Sequence, residues 1–246
     1  VGAYVAEAVE VFQRVEGSWT RQERLVSDAA TGSSDQFGRS VDLKGDLMVV
    51  GSPEAEGTTA SQPAAGKVDV FRWLDGAWIK EGVLRSHSGV LGEKFGLSVA
   101  ANSSRVLVGT GYSRYPSGAY FFSFADGNWN LDLGLPKIGF FFAYHVSLGE
   151  RYGVIGGAHS GGPYLADFSD PDWRNKLVGM ALGSRMVLPV ALHGKTLAVG
   201  HADRTGTHDG VTVDNRGEVE IYELLSDRDA DGASDRWEDE LGSSSE

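Results

Sequence analysis

One phrase recurs along this chain at a fixed spacing, and it restricts the possible folds more than any other feature. Phe37-Gly38-Arg39-Ser40-Val41 is followed, fourteen residues after its first position, by Gly51 of Val50-Gly51-Ser52-Pro53. At the same offset Phe95-Gly96-Leu97-Ser98-Val99 leads to Val108-Gly109. Two looser copies keep it as well: Phe142-Ala143-Tyr144-His145-Val146 to Ile155-Gly156, and Met186-Val187-Leu188-Pro189-Val190 to Val199-Gly200. Degenerate letters with an unbroken offset indicate duplication.

Successive turn glycines Gly51, Gly109, Gly156 and Gly200 are 58, 47 and 44 residues apart. A period of that length signals a propeller or solenoid rather than one compact unique fold, with loop length absorbing the drift. Each unit repeats one grammar. An alternating segment (SVDLKGDLMVVG) precedes a Gly-led strand (GKVDVFRW at 66), which precedes a Gly-x-Trp strand (GAWIKEGVL at 76). The Gly-led strand returns at residues 118, 163 and 217, and its counterpart lies near residue 9; the Trp strand returns at 17, 127 and, more loosely, 171. Period-two alternation rich in β-branched and aromatic residues suits a pleated sheet that buries its faces. Four short strands per unit, repeated, predict the blades of an all-β propeller.

These residues carry a family resemblance. FGRSVDLKGDLMVVGSP, with GKVDVFRW and the Gly-x-Trp strand after it, resembles the FG-GAP repeats of integrin-α-type propellers, above all their bacterial secreted relatives. The resemblance extends from residue 1 to about 224, with Ala143 standing where the family has Gly and Met186 where it has Phe. It implies a partial blade over 1–26, blades at about 37–85, 95–135, 142–180 and 186–224, and an acidic extension over 225–246. The chain opens at the end of a second strand and stops after a third, at Glu223. The expectation is therefore a segment of a larger propeller.

That acidic extension reads as a calcium loop. Asp227, Asp229 and Asp231 stand at loop positions 1, 3 and 5, with Gly232 at 6 for the sharp turn. Ala233 offers its carbonyl at 7, Asp235 stands at 9 and Glu238 at 12, the order in which a hard cation collects oxygen ligands. Residues 234–241 suit a short following helix capped by Ser234 or Asp235. No entering helix is visible, so the motif resembles single loops of the thrombospondin type 3 or dockerin-like class, with Ala230 in place of their central Gly. Eight acids against two arginines give residues 225–246 a net charge of −6, half of the chain's −12. Family members can also hold calcium between a blade's first and second strands. The turns here (LKGD at 43, ANSS at 101, LGER at 148, LHGK at 192) lack the three spaced acids, so no blade calcium is expected.

Other signals point elsewhere or nowhere. SFADGNW at 123 has the wrong spacing for a sialidase Asp-box, and Asp126-Gly127 reads instead as a hairpin turn with Trp129 packed between blades. His159 and His201 fall beside equivalent Val-Gly turns in successive blades, but a metal or acid-base cluster of these two with His145 lacks a carboxylate partner in a fixed pattern. Glu54, Glu56, Asp203 and Asp209 follow the Val-Gly turns on long loops, the natural ligand surface of a rigid scaffold. An acidic chain of pI about 4.9 without a Lys/Arg cluster does not suit nucleic acid, and there is no GxxxxGK phosphate loop. Zero cysteines exclude disulfides and thiol chemistry, and no apolar run reaches the roughly 20 residues of a membrane helix. The expected function is a noncatalytic secreted or cell-surface propeller that binds a protein or glycan, with Ca²⁺ in its tail. The alternative is a polysaccharide lyase or hydrolase working in the central channel.

Overall fold

The computed structural model describes residues 1–28, 34–56, 64–87, 92–111, 118–135, 142–157, 163–180, 189–201, 206–208, 211–213 and 217–224. Five antiparallel sheets follow one another along the chain. Blade A holds β1 (Gly2–Ala3), β2 (Ala8–Val15) and β3 (Ser18–Val26). Blade B holds β4 (Ser40–Lys44), β5 (Leu47–Ser52), β6 (Lys67–Leu74) and β7 (Ala77–Leu84). Blade C follows with β8 (Ser98–Ala101), β9 (Arg105–Gly109), β10 (Ala119–Ala125) and β11 (Asn128–Leu135). Blade D has β12 (His145–Leu148), β13 (Tyr152–Gly156), β14 (Tyr164–Asp167) and β15 (Val178–Gly179). Blade E has β16 (Val190–His193) and β17 (Thr196–His201), then a separate hairpin of β18 (Gly206–His208) and β19 (Val211–Val213), then β20 (Glu218–Glu223).

Within each four-stranded sheet the spatial order is the chain order, and the first strands β4, β8, β12 and β16 are neighbours from blade to blade. Sheets side by side on their first strands are the blades of a β-propeller. Among the described residues no helix is long and apolar enough to cross a membrane.

The core lies between blades, not within one. Along β5, Leu47 and Val49 pack toward blade C while Met48 and Val50 pack toward blade A. Along β9, Val106 and Val108 face blade B and Leu107 faces blade D. Successive side chains of a strand point to opposite faces, so a second strand covered on both sides is apolar at every position. That is why LMVV and VLV are unbroken hydrophobic runs. Each such side chain contributes about 1.5–3 kcal/mol on burial.

The recurring phrase interlocks neighbouring blades. A Cβ placed on Gly51 of blade B would lie 2.0 Å from the carbonyl oxygen of Gly96 in blade C; one on Gly109 would lie 2.0 Å from that of Ala143. Gly2 stands in the same relation, at 2.1 Å, to Gly38. In blades B, C and D the turn at Gly38, Gly96 or Ala143 thus sits directly on the strand end of the blade before. Phe37, Phe95 and Phe142 fill the space beneath and are fully buried. Where the third copy departs from Gly, Ala143 adopts the same left-handed backbone, with φ 59° against 85° at Gly38 and 89° at Gly96. Polar groups tighten the seams. Ser40 donates to the Gly96 carbonyl at 2.8 Å, the Asp42 carboxylate accepts from the Ala101 N–H at 2.7 Å, and Asn102 donates to the Gly149 carbonyl at 2.8 Å.

Third and fourth strands are joined by tight turns. Glu16-Gly17, Asp75-Gly76 and Asp126-Gly127 all have φ > 0 at both positions, the conformation that a two-residue hairpin needs. Just inside, the same register shift recurs at Val11/Phe12, Val70/Phe71 and Phe121/Phe122. Blade D departs from this plan. No such dipeptide precedes Trp173, and Asp170 instead accepts from the Asp172 N–H at 2.7 Å. Trp173 therefore opens a 3-10 turn (Trp173–Asn175) rather than a strand, and the fourth strand expected from residue 171 shrinks to Val178–Gly179. Trp173 still reaches the core, edge-on to Phe121 and Phe168.

Candidate functional site

Antiparallel alternation sorts the connections by length. The turns between first and second strands and between third and fourth lie at one end; those between second and third strands, and from blade to blade, emerge at the other. The long connections are therefore gathered on one end of a rigid stack, the usual location of binding residues. Beneath that end lies a band of buried charge.

Its largest cluster spans blades A and B. Lys67 opens β6, and Asp69, two residues on, shares its face. Both side chains are buried, at 6% and 1% exposure. Lys67 reaches Asp69 at 3.2 Å and Asp35 at 3.8 Å, and pairs closely with Asp28. Lys80 of β7 bridges Asp28, at 2.7 Å, and Asp69. The two ammonium groups, Lys67 first, hold the Asp28 carboxyl far below the usual carboxylate range. Asp35 also accepts from the Ser27 hydroxyl at 2.7 Å. Its burial works against ionisation, yet hydrogen bonds from Glu7 and Ser27 and the charge of Lys67 keep its carboxyl below the ordinary value. Glu7 is pushed the other way, by burial and by the Asp35 carboxylate beside it, while accepting from the backbone N–H groups of Gln36 and Phe37 at 3.1 and 2.8 Å. One proton shared between Glu7 and Asp35 meets both directions.

The next seam repeats part of this device. Glu93 stands two residues before Phe95 as Asp35 does before Phe37, is fully buried, and accepts from Ser86 and Tyr120. Glu54 crosses from blade B to pair with Lys94 at 2.6 Å, and the Glu56 carbonyl accepts from Arg85 at 2.8 Å. In blade E, His201 is buried with its Nε2 2.9 Å from the Glu220 carboxylate, to which Tyr222 also donates. Burial lowers the pKa of His145, whose ring lies against Tyr144.

Some residues singled out in the sequence are therefore tied into seams between or within blades: Glu54 to Lys94, and His201 to Glu220. The residues expected to ligate calcium, Asp227, Asp229, Asp231, Ala233, Asp235 and Glu238, lie outside the described residues, as do His159, Asp203 and Asp209. Among the described residues no group of three or more His, Cys, Asp or Glu side chains is arranged to hold a metal. The Lys67 cluster escaped the sequence reading. Its signal was Lys67 and Asp69 alternating with valines at the head of an otherwise apolar strand, an arrangement that puts both charges on one buried face.

The fold and its seams define a protein of the β-propeller class. Residues 19–71, from Trp19 through the first Phe-Gly to Val-Gly unit into β6, match the FG-GAP repeat family model. A search of curated proteins finds none that matches.

Proposed function

We propose that this chain is a noncatalytic propeller of the secreted or cell-surface kind, which presents its loop-bearing end to a protein or glycan ligand and holds Ca²⁺ in the tail at 227–238. One observation carries the binding reading. Long connections emerge together at one end of the stack, while the charged groups beneath them are spent on one another as seams between blades. Lys67, Asp69 and Glu93 are buried and engaged, which suits a rigid platform better than an acid-base pair waiting for substrate. The FG-GAP match over residues 19–71 supports an integrin-like display role.

The test presents the 246-residue chain to immobilised glycans and extracellular-matrix proteins. Replacing the segment 57–62 with a Gly/Ser loop of equal length should abolish capture, and Asp75→Lys at the hairpin end should leave it unchanged. Capture that tracks the Asp75 end instead overturns the assignment of the face. Release of sugar fragments from any polysaccharide in the same panel overturns the noncatalytic reading.

A further inference from the structure

Seams A–B and B–C cap the same two backbone amides in different ways. Phe37 and Phe95 hold equivalent places in the repeated phrase, and so do Gln36 and Lys94, both with a left-handed backbone of φ 58° and 56°. In seam B–C the N–H groups of Lys94 and Phe95 donate to the backbone carbonyls of Ala64 and Ala65, each at 3.0 Å. In seam A–B the N–H groups of Gln36 and Phe37 donate instead to the Glu7 carboxyl group, at 3.1 and 2.8 Å. One cap is fixed backbone; the other can gain or lose a proton.

Strand register explains the exchange. Gly2 pairs with Val9 as Gly51 pairs with Val68, so Glu7 stands where blade B has Gly66, and Val5 and Ala6 stand where it has Ala64 and Ala65. Val5 and Ala6 belong to a 3-10 turn (Tyr4–Ala6), and the Glu7 carboxyl group takes over from their carbonyls. Glu7 keeps a left-handed φ of 50°, against 88° at Gly66, a conformation that any Cβ disfavours. A side chain held there against that strain points to a task for its carboxyl group.

The surroundings of Glu7 define that task. A side-chain hydrogen bond joins it to Asp35, and between two carboxyl groups such a bond requires one proton. Asp35 is buried and held from the other side: its Oδ2 accepts from Ser27 at 2.7 Å and lies 3.8 Å from Lys67, while its Oδ1 lacks a donor that a proton on Glu7 supplies. Glu7 also accepts from the Ser34 hydroxyl at 3.2 Å. The other charged groups of the cluster are Asp28, Asp69, Lys67 and Lys80, and both lysines bond to Asp28 and to Asp69. Arg39, just past the turn, lies over the Tyr4 ring at 5.3 Å. Four carboxyl groups therefore share two ammonium groups, and among the described residues no cation pairs with Glu7. Burial and the neighbouring Asp35 raise the Glu7 pKa above 4.5 in spite of its two amide hydrogen bonds.

We propose that the Glu7–Asp35 pair is a proton-operated latch on the loop-bearing end of seam A–B: with one proton between them, Glu7 caps the Gln36 and Phe37 amides and fastens the 34–37 turn to blade A. When that proton leaves, two like charges face each other beneath the loops. Asp35 is anchored by Ser27 and Lys67, so Glu7 is the partner that swings out, and the two amides lose their acceptor. The raised Glu7 pKa sets the sign: the closed latch is present in acid and is lost as pH rises through that value. Seam B–C is the internal control. Its two amides are capped by main-chain carbonyls, which do not titrate, and Glu93 accepts there from the neutral hydroxyls of Ser86 and Tyr120.

Amide hydrogen exchange of the 246-residue chain, followed by NMR and corrected for its intrinsic pH dependence, tests this. Gln36 and Phe37 should lose protection as pH rises above 4.5, while Lys94 and Phe95 keep theirs. Asp35→Asn removes the repelling charge and offers its own amide to Glu7, so Gln36 and Phe37 should stay protected across the same range. Glu7→Gln carries its donor at every pH and should flatten the response as well, with Lys94 and Phe95 reporting in each variant that the fold is kept. Wild-type Gln36 and Phe37 amides that hold their protection overturn the latch. So does a loss that survives in either folded variant, or one that Lys94 and Phe95 share in step.

Discussion

The carbonyl oxygen of Gly96 sits where a side chain of Gly51 would begin, 2.0 Å from the Cβ position, and so the Val-Gly end of one blade and the Phe-Gly turn of the next can approach only without a methyl group between them. The obstacle is backbone, which cannot rotate away. Gly51→Ala should therefore cost about 3 kcal/mol or more, the upper range of overpacking in a tight core. Gly82→Ala is the control, because its nearest neighbour, Trp129, lies at an ordinary 3.5 Å. It should change stability by no more than about 0.5 kcal/mol, as ordinary surface substitutions do. Urea denaturation of both variants checks the difference.

Buried and half-exposed ion pairs should separate clearly. Asp69→Ala removes the buried carboxylate that Lys67 and Lys80 share, leaving Lys67 only Asp28 and Asp35 and Lys80 only Asp28, and should destabilise by about 3–5 kcal/mol. Lys94→Ala breaks a pair with Glu54 that water reaches, and should cost no more than about 1 kcal/mol. Equal losses in thermal melts of the two variants would show that burial of the Lys67 cluster is not what matters.

Acid should weaken the A–B seam. Asp28 has its carboxyl pKa lowered from 3.8 by Lys67 and Lys80, and Asp35 and Asp167 are lowered too. A carboxylate whose folded pKa is depressed contributes stability above its unfolded pKa and loses it as pH falls toward the folded value. The melting temperature should thus decline as pH drops below about 3.8. Glu7 has the opposite sign. Its carboxyl is raised above 4.5, so its contribution is present below that pH and fades as pH rises through the raised value. Asp28→Asn should flatten the acid limb of a melting-temperature profile, and Glu7→Gln should leave that limb in place.

The Trp129 indole ties blade C to Glu81 of blade B at 3.0 Å. Trp129→Phe keeps an aromatic ring in the seam but removes the N–H donor together with part of the indole, leaving Glu81 with Arg72 at 2.7 Å. The expected cost is about 1.5–3 kcal/mol, typical of a hydrogen bond to a charged acceptor. A measured loss near zero would assign the seam to packing alone.

Calcium should act on the tail at extracellular concentrations. If Asp227, Asp229 and Asp231 converge on an ion, calcium at about 10⁻⁴–10⁻³ M should protect the chain from proteolysis near residue 227. Asp229→Asn should remove that protection. Protection that survives the substitution, or never appears, rules out this loop as the site.

Much of the fold was legible because each blade repeats its own instructions. The invariant offset from Phe37 to Gly51 and from Phe95 to Gly109, the alternating GKVDVFRW and GAYFFSF segments, and the Asp75-Gly76 and Asp126-Gly127 turns are local signals, and local backbone preferences carry them out. Trp173 was misread because the letter Trp looked like a strand marker, whereas the strand elsewhere depends on the left-handed dipeptide before it. The hairpin of β18 and β19 carried no repeat signal. Charge in the site was less legible still. Asp28 and Asp35 meet Lys67 across 39 and 32 residues of chain, a proximity that no spacing rule encodes.

By itself the sequence determined that these residues form short antiparallel strands in repeated units, because period-two apolarity and turn glycines act within a few residues of one another. Only the tertiary structure decided what each face of a unit meets. Trp19 and Trp78 occupy the same place in their blades and the same turn precedes them. One is exposed and the other buried, because burial belongs to the neighbouring blade and not to the residue.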